Sequence, residues 1–177
     1  MQDLKIFWFG FIASVALAVL GIPYIVYSFL SDSSATFAVD CLYSGVEILV
    51  GVATIFLIRR FFEKDDLVLM QLIMIGLSLL TAGLSVARYI DPGSEDFLVG
   101  AGLVVAIAYA IVLMIFSIRA MTLKSVLQPY WKIYCVINIV TACFCFSIIF
   151  IFLAVPAIMV ASIFLALSFN NAIKAIE

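Results

Sequence analysis

Two carboxylates lie in a stretch that otherwise has the composition of a membrane-spanning helix. Asp40 and Glu47 are seven residues apart within residues 35–58, and this spacing of about two helical turns puts both on one face. Tyr43 and Ser44 lie between them. A charged residue at the centre of a bilayer costs roughly 2.5–3.5 kcal/mol on insertion scales. Two acids in one span therefore predict a site that binds cations or protons.

A third polar side chain, Asn138, lies within a later apolar stretch. Counted from opposite sides of the bilayer, Glu47 is about twelve residues deep and Asn138 about eight, so the rise per residue places them at similar depth. With the hydroxyl of Tyr43 they would form an oxygen-rich pocket for a hard cation. Alternatively, Glu47 is a protonated carboxyl bonded to another helix, and Asn138 joins two helices. Tyr109, also within a span, is interpreted as a packing residue.

The composition is that of an integral membrane protein. Of the 177 residues, 67% are hydrophobic and 11% are charged, and none is histidine. A soluble core cannot bury this much apolar surface. Because no basic patch is interleaved with aromatic residues, we expect lipid and not nucleic acid as the partner of this surface. Without histidine or an activated serine or cysteine, we expect neither an enzyme nor a bound cofactor.

Six apolar stretches are long enough to span a bilayer, which takes about 20 residues. An apolar run near the C-terminus is too long for one span, and we divide it at Pro156, because proline suits the first turn of a helix and not its middle. A kink at Pro156 and five spans are the alternative. The sequence predicts an all-α membrane bundle, without a soluble domain, whose spans are residues 6–30, 35–58, 67–90, 97–118, 130–153 and 155–173.

The positions of the basic residues predict that both termini are cytoplasmic. With six spans, all but one of the 9 lysines and arginines fall on the side of the N-terminus, and only Arg88 falls on the other. Cytoplasmic loops carry such an excess of basic residues. The far side would hold two polar turns, at residues 31–34 and 91–96. We expect the plasma (inner) membrane.

The second span resembles the second helix of the cation diffusion facilitator family. Asp40 matches an acid that precedes the family's metal-binding motif, and Ser44 matches the serine of that motif. Tyr43 and Glu47 fall at the positions of its two metal ligands. The resemblance implies a dimeric secondary transporter of a divalent cation, in exchange for protons. Glu47 would be the central ligand or proton carrier, and Asp40 an outer relay.

Other parts of the family pattern are altered. The last span begins Val155-Pro156, where the family has Asp-Pro, and the fifth span lacks the family's His-x-x-x-Asp. Tyr134 and Asn138 have that spacing and would stand in for the missing ligands. The resemblance thus implies a metal site made of Glu47, Asp40, Tyr43, Asn138 and Tyr134. These ligands suit a hard or weakly bound cation better than Zn²⁺, which prefers nitrogen, sulfur or several carboxylates.

Two other functions are compatible with six spans. The absence of histidine favours a relative that no longer transports and acts as a partner or regulatory subunit. The size of the chain also fits a membrane subunit that binds an organic nutrient for an importer. Neutralising Glu47 would alter assembly but no flux in the first case, and a small molecule would co-purify in the second.

Overall fold

The computed structural model of the chain is all-helical. It describes residues 2–28, 33–91, 95–147 and 153–177, and no strand occurs among them. Five of its helices are long and apolar enough to cross a membrane, which confirms the predicted all-α membrane bundle. The helices are α1 (Gln2–Ser28), α2 (Ser33–Phe61), α3 (Asp65–Ile90), α4 (Glu95–Met121), α5 (Tyr130–Phe146) and α6 (Ala154–Lys174).

The long C-terminal apolar run forms two helices, as the division at Pro156 predicts. Pro156 lies in the first turn of α6, where its missing N–H costs no hydrogen bond. The helix α5 has 17 residues, fewer than the other five, and ends before the predicted limit of the fifth span. The last residues of that span, 148–152, lie outside the described residues. So do residues 31–32 and 92–94 of the two predicted polar turns.

The six helices form a closed ring. Each helix packs against the next one along the chain, and α1 also packs against α6. Ion pairs join the ends of antiparallel neighbours, with Arg60 3.9 Å from Asp3 and Arg119 2.6 Å from Asp66. Exposed pairs of this kind contribute at most about 1 kcal/mol. The ring is therefore held mainly by contacts between apolar side chains.

One end of the ring is tightly packed, and we call it the packed end. There α1, α3 and α5 begin and α2, α4 and α6 end. Trp131 lies at its centre, with ring centroids 5.0 Å from Phe62 and 6.4 Å from Phe116, and its Nε1 donates to the Ala120 carbonyl at 3.2 Å. The fully buried large apolar side chains are Phe7, Leu57, Ile58, Leu67, Phe116, Leu127, Trp131 and Phe169.

The opposite end, which we call the open end, is much less buried. Two aromatic pairs join helices there: the ring centroids of Tyr24 and Tyr43 are 4.6 Å apart, and those of Phe37 and Tyr89 are 4.4 Å apart. The other described side chains at this end are mostly exposed or half-buried. Within the described part of the chain, no side chain is buried in residues 22–27, 79–91, 97–104 and 143–147.

Glycine permits the close approach of α1 to α6. A Cβ atom added at Gly10 would lie 2.5 Å from the ring of Phe169, which is fully buried and cannot move aside cheaply. A Cβ at Gly21 would meet Met159, a flexible side chain. At Gly83 of α3, by contrast, nothing lies within 4 Å of the added atom.

We predict that Gly10→Ala destabilises the ring, because the new methyl group overlaps Phe169. Overpacking of this kind costs about 1–3 kcal/mol. The control Gly83→Ala should be neutral or stabilising by up to about 1 kcal/mol, since alanine is the better helix former. The measurement is the melting temperature of the two purified variants in detergent. Equal melting temperatures would contradict the close α1–α6 contact.

Candidate functional site

A cavity of about 50 Å³ lies inside the ring. All six helices contribute to its lining. A water molecule needs roughly 10–15 Å³ on this measure, so the space suits a few waters or one small ion that keeps part of its hydration shell. The polar residues of the lining are Glu47, Thr54, Gln71, Tyr109, Tyr134, Asn138 and Ser162.

An apolar layer closes the cavity toward the packed end. Four helices each place a side chain that is 0% exposed one turn nearer the packed end than a lining residue. Residues three or four apart lie above one another on a helix, so the layer lies directly beneath the lining. The successive pairs are Thr54 and Leu57, Leu113 and Phe116, Trp131 and Tyr134, and Leu165 and Phe169. Water and ions cannot cross this layer without a rearrangement of its side chains.

Glu47 is tied to two other helices by hydroxyl groups. The hydroxyl of Tyr109 on α4 donates to Glu47 Oε1 at 2.8 Å, and the hydroxyl of Ser78 on α3 also bonds to this carboxylate. Both donors are neutral, and the cavity lining includes no lysine or arginine. The single formal charge in the lining is therefore the carboxylate itself.

Three of the five predicted site residues line this cavity. Glu47 of α2 and Tyr134 and Asn138 of α5 all contribute to it. Tyr43 does not, although it lies one turn from Glu47 toward the open end, with its ring buried against Tyr24. Its hydroxyl has no hydrogen-bond partner among the described residues.

Asp40 lies apart from the cavity. It is partly exposed, one turn beyond Tyr43 toward the open end, and it is not among the lining residues. The positive charge of Arg88 on α3 acts on its carboxylate. Asp40 and Arg88 thus form a charge-balanced region near the open end. No lysine or arginine of the cavity lining offsets the charge of Glu47 in this way.

Four polar residues of the lining escape the sequence analysis: Tyr109, Gln71, Thr54 and Ser162. Tyr109 packs against the core, as interpreted from the sequence, but its hydroxyl also donates to Glu47, which the sequence did not indicate. Gln71 of α3 also lines the cavity, about two turns into the helix and away from its charged ends. The usable signal was a polar group within an apolar span, the same signal that singled out Asn138. Its weakness is that it does not reveal which way a side chain faces.

Two buried amides at the cavity keep an unsatisfied atom. Gln71 is 7% exposed and Asn138 is 4% exposed. Within the described part of the protein, Gln71 Oε1 and Asn138 Nδ2 have no hydrogen-bond partner. A buried polar atom without a partner costs about 1–3 kcal/mol, and both side chains line the cavity. A polar guest in the cavity would remove that cost.

The donor set is unlike that of a high-affinity zinc site. Among the described residues, no group of three or more histidine, cysteine, aspartate or glutamate side chains could hold a metal ion. Zinc sites use three or four such ligands. The cavity instead offers one carboxylate with neutral hydroxyl and amide groups, which bind hard cations weakly.

We predict that Tyr109→Phe and Glu47→Gln are strongly non-additive in stability, because their side chains share one hydrogen bond. The coupling should be about 1–3 kcal/mol, as for hydrogen bonds to a charged group. The measurement is a double-mutant cycle of unfolding free energies in mixed micelles. Tyr89→Phe, which keeps its ring to stack on Phe37, should show no coupling to Glu47→Gln. Additive effects at Tyr109 would contradict the contact.

Comparison with known proteins leaves the site to be interpreted from its own geometry. No protein-family model, no curated protein and no solved structure matches the chain. The cation diffusion facilitator assignment therefore stays a prediction from the residues of the second, fifth and sixth spans. The cavity, its single carboxylate and the contrast between the two ends of the ring are the features that bear on function.

Proposed function

We propose that this integral membrane protein binds a cation in the cavity and moves it across the bilayer. The observation that carries the proposal is a carboxylate within a membrane-spanning helix that lines a cavity large enough for a small ion. An acid at such a position is costly, and a binding role explains why the cavity accompanies it. Glu47 would be the central ligand and, when the ion leaves, the carrier of a proton.

The neighbouring polar residues would have distinct roles. Tyr134 and Asn138 would complete the ligand set, and Tyr109 would orient the carboxylate through its hydrogen bond at 2.8 Å. Tyr43 lies between Glu47 and Asp40 on the face that leads toward the open end. Asp40 would act there as an outer relay, where a carboxylate attracts cations to the mouth of the ring.

The contrast between the two ends supports alternating access. In this structure the apolar layer blocks the packed end, whereas the open end has few enclosed side chains. A transporter must expose its site to one side at a time. Under this proposal the site would be reached from the open end in this arrangement, and rearrangement of the layer around Trp131 and Phe169 would give access from the other.

The sidedness follows from charge. The side with more lysine and arginine faces the cytoplasm, which assigns the packed end and both termini to the cytoplasm of a plasma (inner) membrane. The open end carries Arg88. The basic residues near the packed end are Lys5, Arg59, Arg60, Lys64, Arg119, Lys124, Lys132 and Lys174.

The cavity also separates the rival functions. A site for a small organic ligand has a volume of about 300–1,000 Å³, well above the 50 Å³ found here, which disfavours a nutrient-binding subunit. A partner subunit without transport is favoured by the lack of a three-ligand metal cluster among the described residues. The dimer that the family resemblance implies is compatible with either transport or a partner role.

We predict that the protein, reconstituted in liposomes that contain ion- and pH-sensitive dyes, carries a cation flux that Glu47→Gln abolishes. The substitution keeps the shape of the side chain and removes the charge that holds the ion. The matched control is Glu63→Gln, the same change at an exposed residue after α2, which should keep the flux.

The ions to be screened are Na⁺, K⁺, Mg²⁺, Mn²⁺, Co²⁺ and Zn²⁺, each with and without a pH gradient. Retention of flux in Glu47→Gln would place the transport route elsewhere in the chain. Absence of any flux, with all three proteins folded and incorporated in the membrane, would reject transport and support the partner role.

A further inference from the structure

The charge of the cavity limits the ion that it can neutralise. Glu47 is the single charged residue of the lining, and its hydrogen-bonding partners Tyr109 and Ser78 are neutral. Asp40, the other acid of the span, is balanced by Arg88 and lies outside the lining. A monovalent cation would make the occupied cavity neutral. A divalent cation would leave an uncompensated positive charge in a low-dielectric interior, which is strongly unfavourable.

Two hydroxyl groups of the lining, those of Thr54 and Ser162, can act as acceptors toward the cavity. Thr54 Oγ1 donates to the Val50 carbonyl and Ser162 Oγ donates to the Ile158 carbonyl, both at 2.8 Å. Because each hydroxyl proton is used within its own helix, the oxygen lone pairs remain for a guest in the cavity. Thr54 is on α2 and Ser162 is on α6, the two helices that pack against α1 in the ring.

Gln71 adds an oxygen that lacks a donor. Its side chain is more than nine-tenths buried and lines the cavity, and Oε1 has no partner among the described residues. Asn138, equally buried, can present its amide oxygen by a half-turn of the amide group. The lining thus brings together one carboxylate and several neutral oxygens, which is the ligand set of a hard cation.

The size of the cavity favours an ion that gives up most of its water. A Mg²⁺ ion dehydrates reluctantly and usually keeps several waters. In a cavity of about 50 Å³, which has room for a few waters, that shell would take up the space and leave little contact between the ion and the lining oxygens. Zinc and the later transition metals prefer nitrogen and sulfur ligands, and among the described residues no group of three or more histidine, cysteine, aspartate or glutamate side chains could hold a metal ion. A monovalent ion of the size of Na⁺ can bind with the lining oxygens and one or two waters.

We infer that the ligand of the cavity is a hard monovalent cation of the Na⁺ class, and not the divalent metal that the family resemblance implies. The inference rests on the proposed function for the site but concerns the ion alone. Glu47 is the charged ligand, and the lining oxygens of Gln71, Thr54 and Ser162 are the neutral groups that the ion and its remaining waters can contact. Protons compete with the ion for the same carboxylate.

The test is the melting temperature of the detergent-solubilised protein during titration with NaCl, LiCl, KCl, MgCl₂, MnCl₂ or ZnCl₂, with choline chloride keeping the ionic strength constant. A ligand that binds only the folded state raises this temperature in a saturable way. We expect NaCl or LiCl to do so for the wild type and for Glu63→Gln, and not for Glu47→Gln. Acidification should weaken the response, because protons occupy Glu47.

A second, milder variant keeps the test informative if Glu47→Gln does not fold. Gln71→Met keeps the length of the side chain and removes the ligand oxygen, so the NaCl concentration at half-saturation should rise about tenfold, the effect of about 1.4 kcal/mol. Uptake of ²²Na⁺ into liposomes, measured with the same variants, reports transport separately from binding.

The outcomes of these measurements distinguish a wrong assignment of the ion from a wrong proposal of transport. A Glu47-dependent response to a divalent ion alone, with flux of that ion, would overturn the monovalent assignment and leave the transporter proposal intact. A Glu47-dependent response to NaCl without ²²Na⁺ uptake would support the monovalent site and reject transport. A NaCl response that survives both Glu47→Gln and Gln71→Met, or no response to any salt, would overturn the inference.

Discussion

The arrangement of α2, α3 and α4 around the cavity depends on the hydrogen-bonded carboxylate of Glu47. The helices α2 and α4 are not neighbours in the ring, yet the Tyr109 hydroxyl of α4 reaches Glu47 of α2 at 2.8 Å, and Ser78 of the intervening α3 bonds to the same group. One side chain thus links three of the six helices. Because a polar group in a membrane interior must find its partners within the protein, the position of Glu47 constrains the rotation of all three helices about their axes.

The two ends of the ring differ because the sequence distributes its large side chains unevenly. Trp131 and Phe169 are fully buried on one side of the cavity, and Gly10 lets α1 approach Phe169 closely. Toward the open end, α3 and α4 bury no side chain within residues 79–91 and 97–104. A tightly packed layer resists local deformation, so a change of access would have to move whole helices about the packed end. The glycine contact between α1 and α6 is part of what holds that end together.

Sequence analysis predicts the number and order of the helices well and the lining of the cavity only in part. Hydropathy and Pro156 define the elements because bilayer thickness and proline geometry act locally along the chain. The depths of Glu47 and Asn138 follow from the helical rise. The direction in which Tyr109 and Gln71 face does not follow from the sequence. Spans that are apolar all round have no polar stripe to indicate which face points inward. That rotation is decided by packing between helices, which one sequence does not display.

The unsatisfied amides weigh against a purely structural role for Glu47. If the carboxylate served only to join helices, Tyr109 and Ser78 would suffice, and apolar residues at the positions of Gln71 and Asn138 would make the bundle more stable. Instead, both amides are buried at the cavity with an atom that lacks a partner among the described residues. Buried polar groups persist at a cost to stability when a guest completes their hydrogen bonds or coordination. The combination of a satisfied carboxylate, the unpartnered Gln71 oxygen and a cavity beside them fits a site that is completed by a bound cation, with a water of that cation accepting from Asn138 Nδ2.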